Sequence, residues 1–223
     1  MPAKKRSSAK TIPVVPTRLW LIRHAEVEPR YQNLFGGTID MNLSERGHEQ
    51  AKILARYLRG RKFDAVYASP MKRVQQTLAP SLKNKIPKPA IMKNLHEVDF
   101  GDWTGLGWDA VREKFGVHPY DWLDQIELGA VPNGESSATF RARVEPCLDK
   151  IIRKHRGETV AIFCHGGVIR MILSTLIGLP LPKTNSFEIE YTSITQVALW
   201  PHLNEIELLN FTPWRDIPAD AGH

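Results

Sequence analysis

Leu19-Trp20-Leu21-Ile22-Arg23-His24-Ala25-Glu26 is a short apolar run that ends abruptly in a cation, an imidazole and an acid. A strand with one wet face alternates apolar with polar; four apolar residues in succession mean burial on both faces, the condition of a strand inside a parallel sheet. Strand propensity accounts for Leu19 to Ile22 and leaves Arg23-His24 unexplained. The same pattern recurs twice: Phe63 to Ala68 runs into Ser69 and, just beyond, Arg73, and Thr159 to Cys164 runs into His165-Gly166-Gly167. In a parallel sheet the carboxyl ends share one edge, where ligands bind in open α/β folds, so three distant segments converge there.

Amphipathic stretches fill the intervals. Ala51, Leu54, Ala55 and Leu58 recur at helical spacing between Ser44, a good N-cap, and Gly60, a good stop. Ser69-Pro70 reads as an N-cap with proline in the first helical position, opening a helix towards Leu82 that Pro80 cuts short. A third strand is expected over Ala90 to Leu95. The segment from Phe100 to Gly134, with Trp103, Trp108, Tyr120 and Trp122, is too aromatic for a disordered linker and reads as an ordered excursion able to cap a site. Val144, Cys147, Leu148, Ile151 and Ile152 form the stripe of a helix from about Glu135 to Gly157. A nearly all-apolar helix, Val168 to Ile177, and a closing hairpin of Thr192 to Trp200 and Glu205 to Asn210 complete an α/β domain. Its sheet is mostly parallel with one antiparallel strand. The domain spans residues 17–212, between a basic tail at 1–16 and a loose end at 213–223.

Composition narrows the class. With 223 residues, 42% hydrophobic and 24% charged, the chain has the balance of a globular protein. Lys4, Lys5, Arg6 and Lys10 supply four of the formal +6 charges, leaving +2 for the rest, so the basic balance belongs to a solvated tail rather than to a nucleic-acid-binding surface. No apolar run reaches bilayer length. Two cysteines, Cys147 and Cys164, make no disulfide framework and read as reduced thiols. A cytoplasmic address follows, with neither membrane nor nucleic acid as partner.

Arg23, His24, Arg73 and His165 on one sheet edge make an anion site, and a helix opening at Gly166 adds unpaired N–H groups and its positive dipole end. A phosphate suits such a site, arginine being the residue for bidentate phosphate contacts. Glu97 is the nearest acid in sequence, although an acid in a loop is ordinarily a surface group. Cys164, ending a buried strand, reads as inert. A zinc set of His24, His96, Asp99 and His165 lacks helical ligand spacing and is set aside in favour of no metal. Gly-x-Ser-x-Gly and Walker motifs are missing.

Six segments together carry a family resemblance. Leu21 to Glu26 resembles an Arg-His-Gly signature; Asp40 to Gly47, Tyr67 to Thr77, Leu95 to Gly105, Pro132 to Ser136 and Cys164 to Arg170 follow in order. The chain thereby resembles the histidine phosphatase superfamily, which implies a three-layer α/β/α sandwich of phosphoglycerate mutase-like fold. Two positions depart from the pattern: Ala25 stands for a glycine, and Arg30 near an asparagine that helps bind phosphate.

The resemblance implies a metal-independent phosphomonoesterase without cofactor, acting on a small phosphorylated substrate through a phosphohistidine. His24 would be the nucleophile, Glu97 the proton donor and acceptor, and Arg23, Arg73, Gly166, a protonated His165 and Arg30 the phosphate-binding set. The aromatic excursion would select the substrate among sugar phosphates, nucleotides and α-ribazole phosphate. A mutase and a non-catalytic phosphate-binding protein are the competing readings, and a homodimer is one form open to the chain.

Overall fold

A computed structural model describes residues 15–218; most of the basic tail and residues 219–223 lie outside the described residues. The opening apolar run is β1 (Thr17–Arg23), and it lies inside the sheet as its two-sided burial requires. Its parallel neighbour is β4 (Thr159–Cys164), followed by β2 (Ala65–Ala68) and the very short β3 (Ala90–Ile91). On the other side lie β5 (Ile194–Leu199) and β6 (Asn204–Phe211), giving the order β3-β2-β4-β1-β5-β6. β5 is antiparallel to both neighbours, so it alone runs against the sheet.

The pleat sends alternate residues into two cores. Leu19 and Leu21 join Val160 and Ile162 in a core roofed by α5 (Ser137–Lys154), α6 (Gly166–Ile177) and the aromatic excursion. Trp20 and Ile22 join Ala161 and Phe163 in the other, under α1 (Glu45–Leu58) and α2 (Lys72–Leu78). Two apolar layers thus sandwich every central strand, which is why these strands read as unbroken apolar runs.

Several boundaries differ from expectation, each for a local reason. α2 starts at Lys72, after an N-cap at Met71; the Ser69 hydroxyl lies 2.8 Å from His165 Nε2 and accepts from Met71 N at 3.4 Å, ahead of the helix. After Leu78 the chain tightens into a 3-10 turn over Ala79–Asn84, around Pro80. The third strand stops at Ile91, and Lys93–Leu95 form a 3-10 turn. Within the excursion lie α3 (Trp108–Phe115) and α4 (Trp122–Glu127), with Trp103 fully buried beneath them. The end of the chain is less loose than its composition suggests: Pro213–Asp216 form α7, and Trp214 Nε1 donates to the Tyr191 carbonyl at 3.1 Å.

The turn after β1 is clasped to α1. Ser44 caps that helix by accepting from Gly47 N at 2.9 Å while its hydroxyl donates to Glu26 Oε1 at 2.7 Å. Ser44 N donates to the Glu26 carbonyl at 3.0 Å, and Glu26 N donates to Gln50 Oε1 at 2.9 Å. A Cβ on Gly47 would sit 2.0 Å from the Glu26 carbonyl oxygen, a backbone atom that cannot swing aside. Gly47→Ala therefore has to push the His24 turn away from α1, and we expect a loss of about 1–3 kcal/mol, the usual cost of overpacking. Urea unfolding would measure it, and an unchanged midpoint would refute the close approach.

Candidate active site

The carboxyl edge of the sheet brings Arg23, His24, Arg73, Glu97 and Gly166 to the wall of one pocket of about 670 Å3. His24 follows β1 directly, its backbone N–H donating to the Cys164 carbonyl at 3.1 Å. Its Nδ1 lies 2.8 Å from the Ala25 carbonyl oxygen, an acceptor only, so Nδ1 carries the proton. That leaves Nε2 as the basic nitrogen. Burial first, then the charges of Arg73 and Arg23, hold the imidazole well below its ordinary pKa. The ring is therefore neutral, and its lone pair is available at physiological pH.

His165, the N-cap of α6, touches the same site from the end of β4; its ring centroid is 5.3 Å from that of His24. Arg73 Nε donates to its Nδ1 at 3.2 Å, so Nε2 carries the proton and donates to Ser69 Oγ at 2.8 Å. The expected protonated His165 is thus corrected: burial, followed by the charges of Arg73 and Arg23, pushes its pKa well down. Positive charge in the pocket comes from guanidinium groups.

Arg73 is 2% exposed and spends its other donors on the carbonyls of Ile39, at 2.7 Å, and Gly37, at 3.1 Å. Burial lowers its pKa to about 10, which still leaves it charged. Arg23 lies 4.2 Å over the Tyr191 ring and donates to the Ile189 carbonyl at 2.5 Å. Its Nε is buried with no partner among the described residues. Arg170, which sequence reasoning did not single out, lines the pocket as a third cation; burial, with Arg23 adding to it, lowers its pKa to about 10. It donates to the Thr184 carbonyl. Its signal was readable: Arg170 is the one charged residue of α6, four residues after Gly166 and hence on the same helix face.

Glu97 reaches the N-terminus of α6, where its Oε2 accepts from Gly167 N at 3.2 Å and its Oε1 from Val98 N at 3.0 Å. A Cβ on Gly167 would lie 2.5 Å from Oε1, so the glycine lets the carboxylate approach. Arg143 of α5 fixes the loop from behind, donating to the carbonyls of Asn94 at 2.7 Å, His96 at 2.8 Å and Glu97 at 3.1 Å. Arg143 is itself held by a two-pronged ion pair with Glu135, at 2.7 and 2.8 Å. Arg30 does not join this assembly. Its side chain is 67% exposed, pairs with Glu28 at 3.3 Å and lies over Tyr31, outside the pocket wall. Among the described residues no cluster of three or more His, Cys, Asp or Glu is placed to hold a metal. Burial raises the Cys164 thiol pKa far above its ordinary value, in keeping with an inert core group.

The family model for the histidine phosphatase superfamily (branch 1) matches residues 19–212. Phosphoserine phosphatase 1 of Hydrogenobacter thermophilus is 31% identical over 195 residues, covering 87% of this chain and 92% of the relative. A 2,3-bisphosphoglycerate-dependent phosphoglycerate mutase of Bartonella quintana is 37% identical over 168 residues, covering 72% of this chain and 82% of the relative. The crystal structure of the alpha-ribazole phosphatase from Shigella flexneri superposes with a TM-score of 0.75 at 27% identity, over 87% of this chain and 96% of the other.

The two neutral histidines make stability depend on pH. An unfolded histidine titrates near about 6.5, whereas burial and the arginines lower both native values. Below that pH the unfolded chain takes up protons that the native site refuses, so stability falls as pH falls and levels off below the native values. Each histidine contributes a slope of up to about 1.4 kcal/mol per pH unit in that window. Urea unfolding between pH 7.5 and 5 should show a shallower decline in His24→Asn than in the wild type; parallel curves would mean that His24 is protonated in the native state.

Proposed function

The chain belongs to the histidine phosphatase superfamily (branch 1), and from that premise we propose that it hydrolyses phosphomonoesters of small metabolites through a phosphohistidine on His24. The observation that carries the reading is the ring of His24, anchored through Nδ1–H to the Ala25 carbonyl, with a basic Nε2 in a pocket walled by three arginines.

Nε2 attacks phosphorus in line, forming the N–P bond as the ester P–O bond breaks. The ring becomes cationic as it does so, and the Ala25 carbonyl, already accepting from Nδ1–H, is placed to stabilise that charge. Arg23 and Arg170 hold the equatorial oxygens together with the N–H of Gly166, while Arg73 contributes its charge. His165, neutral in the free protein, offers a polar ring beside the nucleophile and gains proton affinity when a phosphate dianion enters. Glu97 serves as the general acid, passing a proton to the leaving alkoxide. In the second step it accepts one from the water that cleaves the N–P bond, which returns His24 to its starting state.

Water rather than a second alcohol is the proposed acceptor. The relatives named as phosphatases are matched over 86–87% of this chain and those named as mutases over 72%. We place the enzyme in the cytoplasm, where the buried thiols of Cys147 and Cys164 stay reduced.

Trapping the protein with labelled phosphomonoester in the presence of chelator, without acid, should leave phosphate on His24 and release inorganic phosphate. His24→Ala should abolish turnover yet keep phosphate binding, because the arginines remain; undiminished turnover would remove His24 from the mechanism. Glu97→Gln should slow alkyl phosphates by about a hundredfold or more and p-nitrophenyl phosphate far less, since nitrophenolate leaves without a proton. Equal losses on both would show that Glu97 gives no proton.

A further inference from the structure

Beyond the arginines, His24, Glu97 and the start of α6, most of the pocket wall is aromatic and aliphatic, with Asn185, Ser186 and Glu188 as its polar members. Phe35, Phe100, Trp108, Tyr120 and Trp122 all face it. Their rings touch in a connected series: Phe35 to Phe100 at 4.9 Å, Phe100 to Trp122 at 5.4 Å, Phe35 to Trp108 at 6.4 Å, and Trp108 to Tyr120 at 4.6 Å between centroids. Phe35 and Phe100 are buried, but Trp108 is 37% and Tyr120 60% exposed. Trp108 and Tyr120 pack on each other and Tyr120 stacks on His118 at 5.2 Å, yet both keep ring surface open to water beside the reaction centre, and the group continuous with that surface is whatever the phosphate is attached to.

Charge says what that group is not. The cations of the pocket wall are the three arginines, each also engaged with backbone carbonyls at the phosphate end. Apart from Glu97, the acid on the wall is Glu188, whose side chain is 68% exposed with Arg215 at 3.9 Å. An amino-acid leaving group would need a cation for its carboxylate, and the wall holds none beyond the three arginines. We infer that Trp108 and its neighbouring rings form a subsite for a flat, uncharged ring carried by the phosphorylated alcohol, so that ring-bearing phosphomonoesters are selected over amino-acid and plain alkyl phosphates. The inference rests on the phosphatase reading and adds the class of leaving group to it.

Ethyl phosphate, phosphoserine and 2-phenylethyl phosphate are all esters of primary alcohols, so the first and last differ mainly in the ring. The expected kcat/KM for 2-phenylethyl phosphate exceeds that for ethyl phosphate about tenfold or more, the scale of one good ring contact. Phosphoserine should fall below 2-phenylethyl phosphate by at least as much. Trp108→Ala should cut the phenylethyl-to-ethyl ratio about tenfold, and Trp108→Phe should restore most of it. A ratio near one in the wild type, a preference for phosphoserine, or an unchanged ratio in Trp108→Ala would overturn the subsite. The same two alkyl esters titrated by tryptophan fluorescence against His24→Ala read the subsite without turnover. Tighter phenylethyl binding with no turnover by the wild type would overturn the phosphatase reading alone, while equal binding would overturn the subsite.

Discussion

Arg73 is the fixed point of this molecule. A guanidinium taken out of water must have its donors met, or its charge costs several kcal/mol. Here the acceptors are the carbonyls of Gly37 and Ile39 and the ring of His165, which in turn donates to Ser69. One side chain on α2 thereby ties together the loop after β1, the end of β2 and the end of β4. One turn on, Thr77 accepts from Ala25 N at 2.8 Å and donates to the Arg73 carbonyl at 2.7 Å, so the residue after His24 is held by the same helix. The cost of burying this charge is met by the geometry that aligns the two histidines. Site and fold are therefore one set of contacts, and the tautomer of each imidazole follows from them.

The central strands were legible because burial on both faces writes an unbroken apolar run, and the site because polar residues follow three such runs without structural cause. What stayed hidden depended on partners distant in sequence. Ser69 looks like a cap until His165, 96 residues on, claims its hydroxyl. Arg30 lies near a phosphate-binding position of the family pattern, yet pairs with Glu28 two residues away, and its exposure could not be read from a one-dimensional string. Residue type shows that arginines and histidines meet but not how deeply they are buried, and burial is the first cause of a neutral His165. Arg170, a lone charge on an apolar helix, is by contrast an anomaly visible in the sequence. The short helix at Pro213–Asp216 is closed locally, with Thr212 N donating to Asp216 Oδ2 at 2.7 Å, but the bond from Trp214 to Tyr191 that ties it to the domain is announced by no local pattern.

The two halves of the pocket are built on different principles. At one end, rigid strand and helix termini position the histidines and arginines, with Arg73 bound to three protein acceptors and Arg23 and Arg170 each anchored through one carbonyl. Across from it, α3, α4 and the loop around Phe35 contribute ring faces in an arrangement tied to the domain by the buried Trp103. Between them stands Glu97, set by Arg143 and Glu135 from the far side of its loop. Such a division lets the chemistry stay constant while the rings change, since no phosphate-end arginine draws its hydrogen bonds from the aromatic side chains.

The sheet order also governs how this protein comes into being on the ribosome. β1 leaves the tunnel early, yet its neighbours are β4 and β5, so Leu19 waits for Val160 and Val197. At ordinary elongation rates of about 5–20 residues per second that wait is on the order of ten seconds. Throughout it, a strand made to be covered on both faces has neither its β4 nor its β5 partner beside it. Newborn chains are thus open to mispairing with one another and to capture by chaperones. A pocket whose arginines come from positions 23, 73 and 170 can exist only once that interval is over.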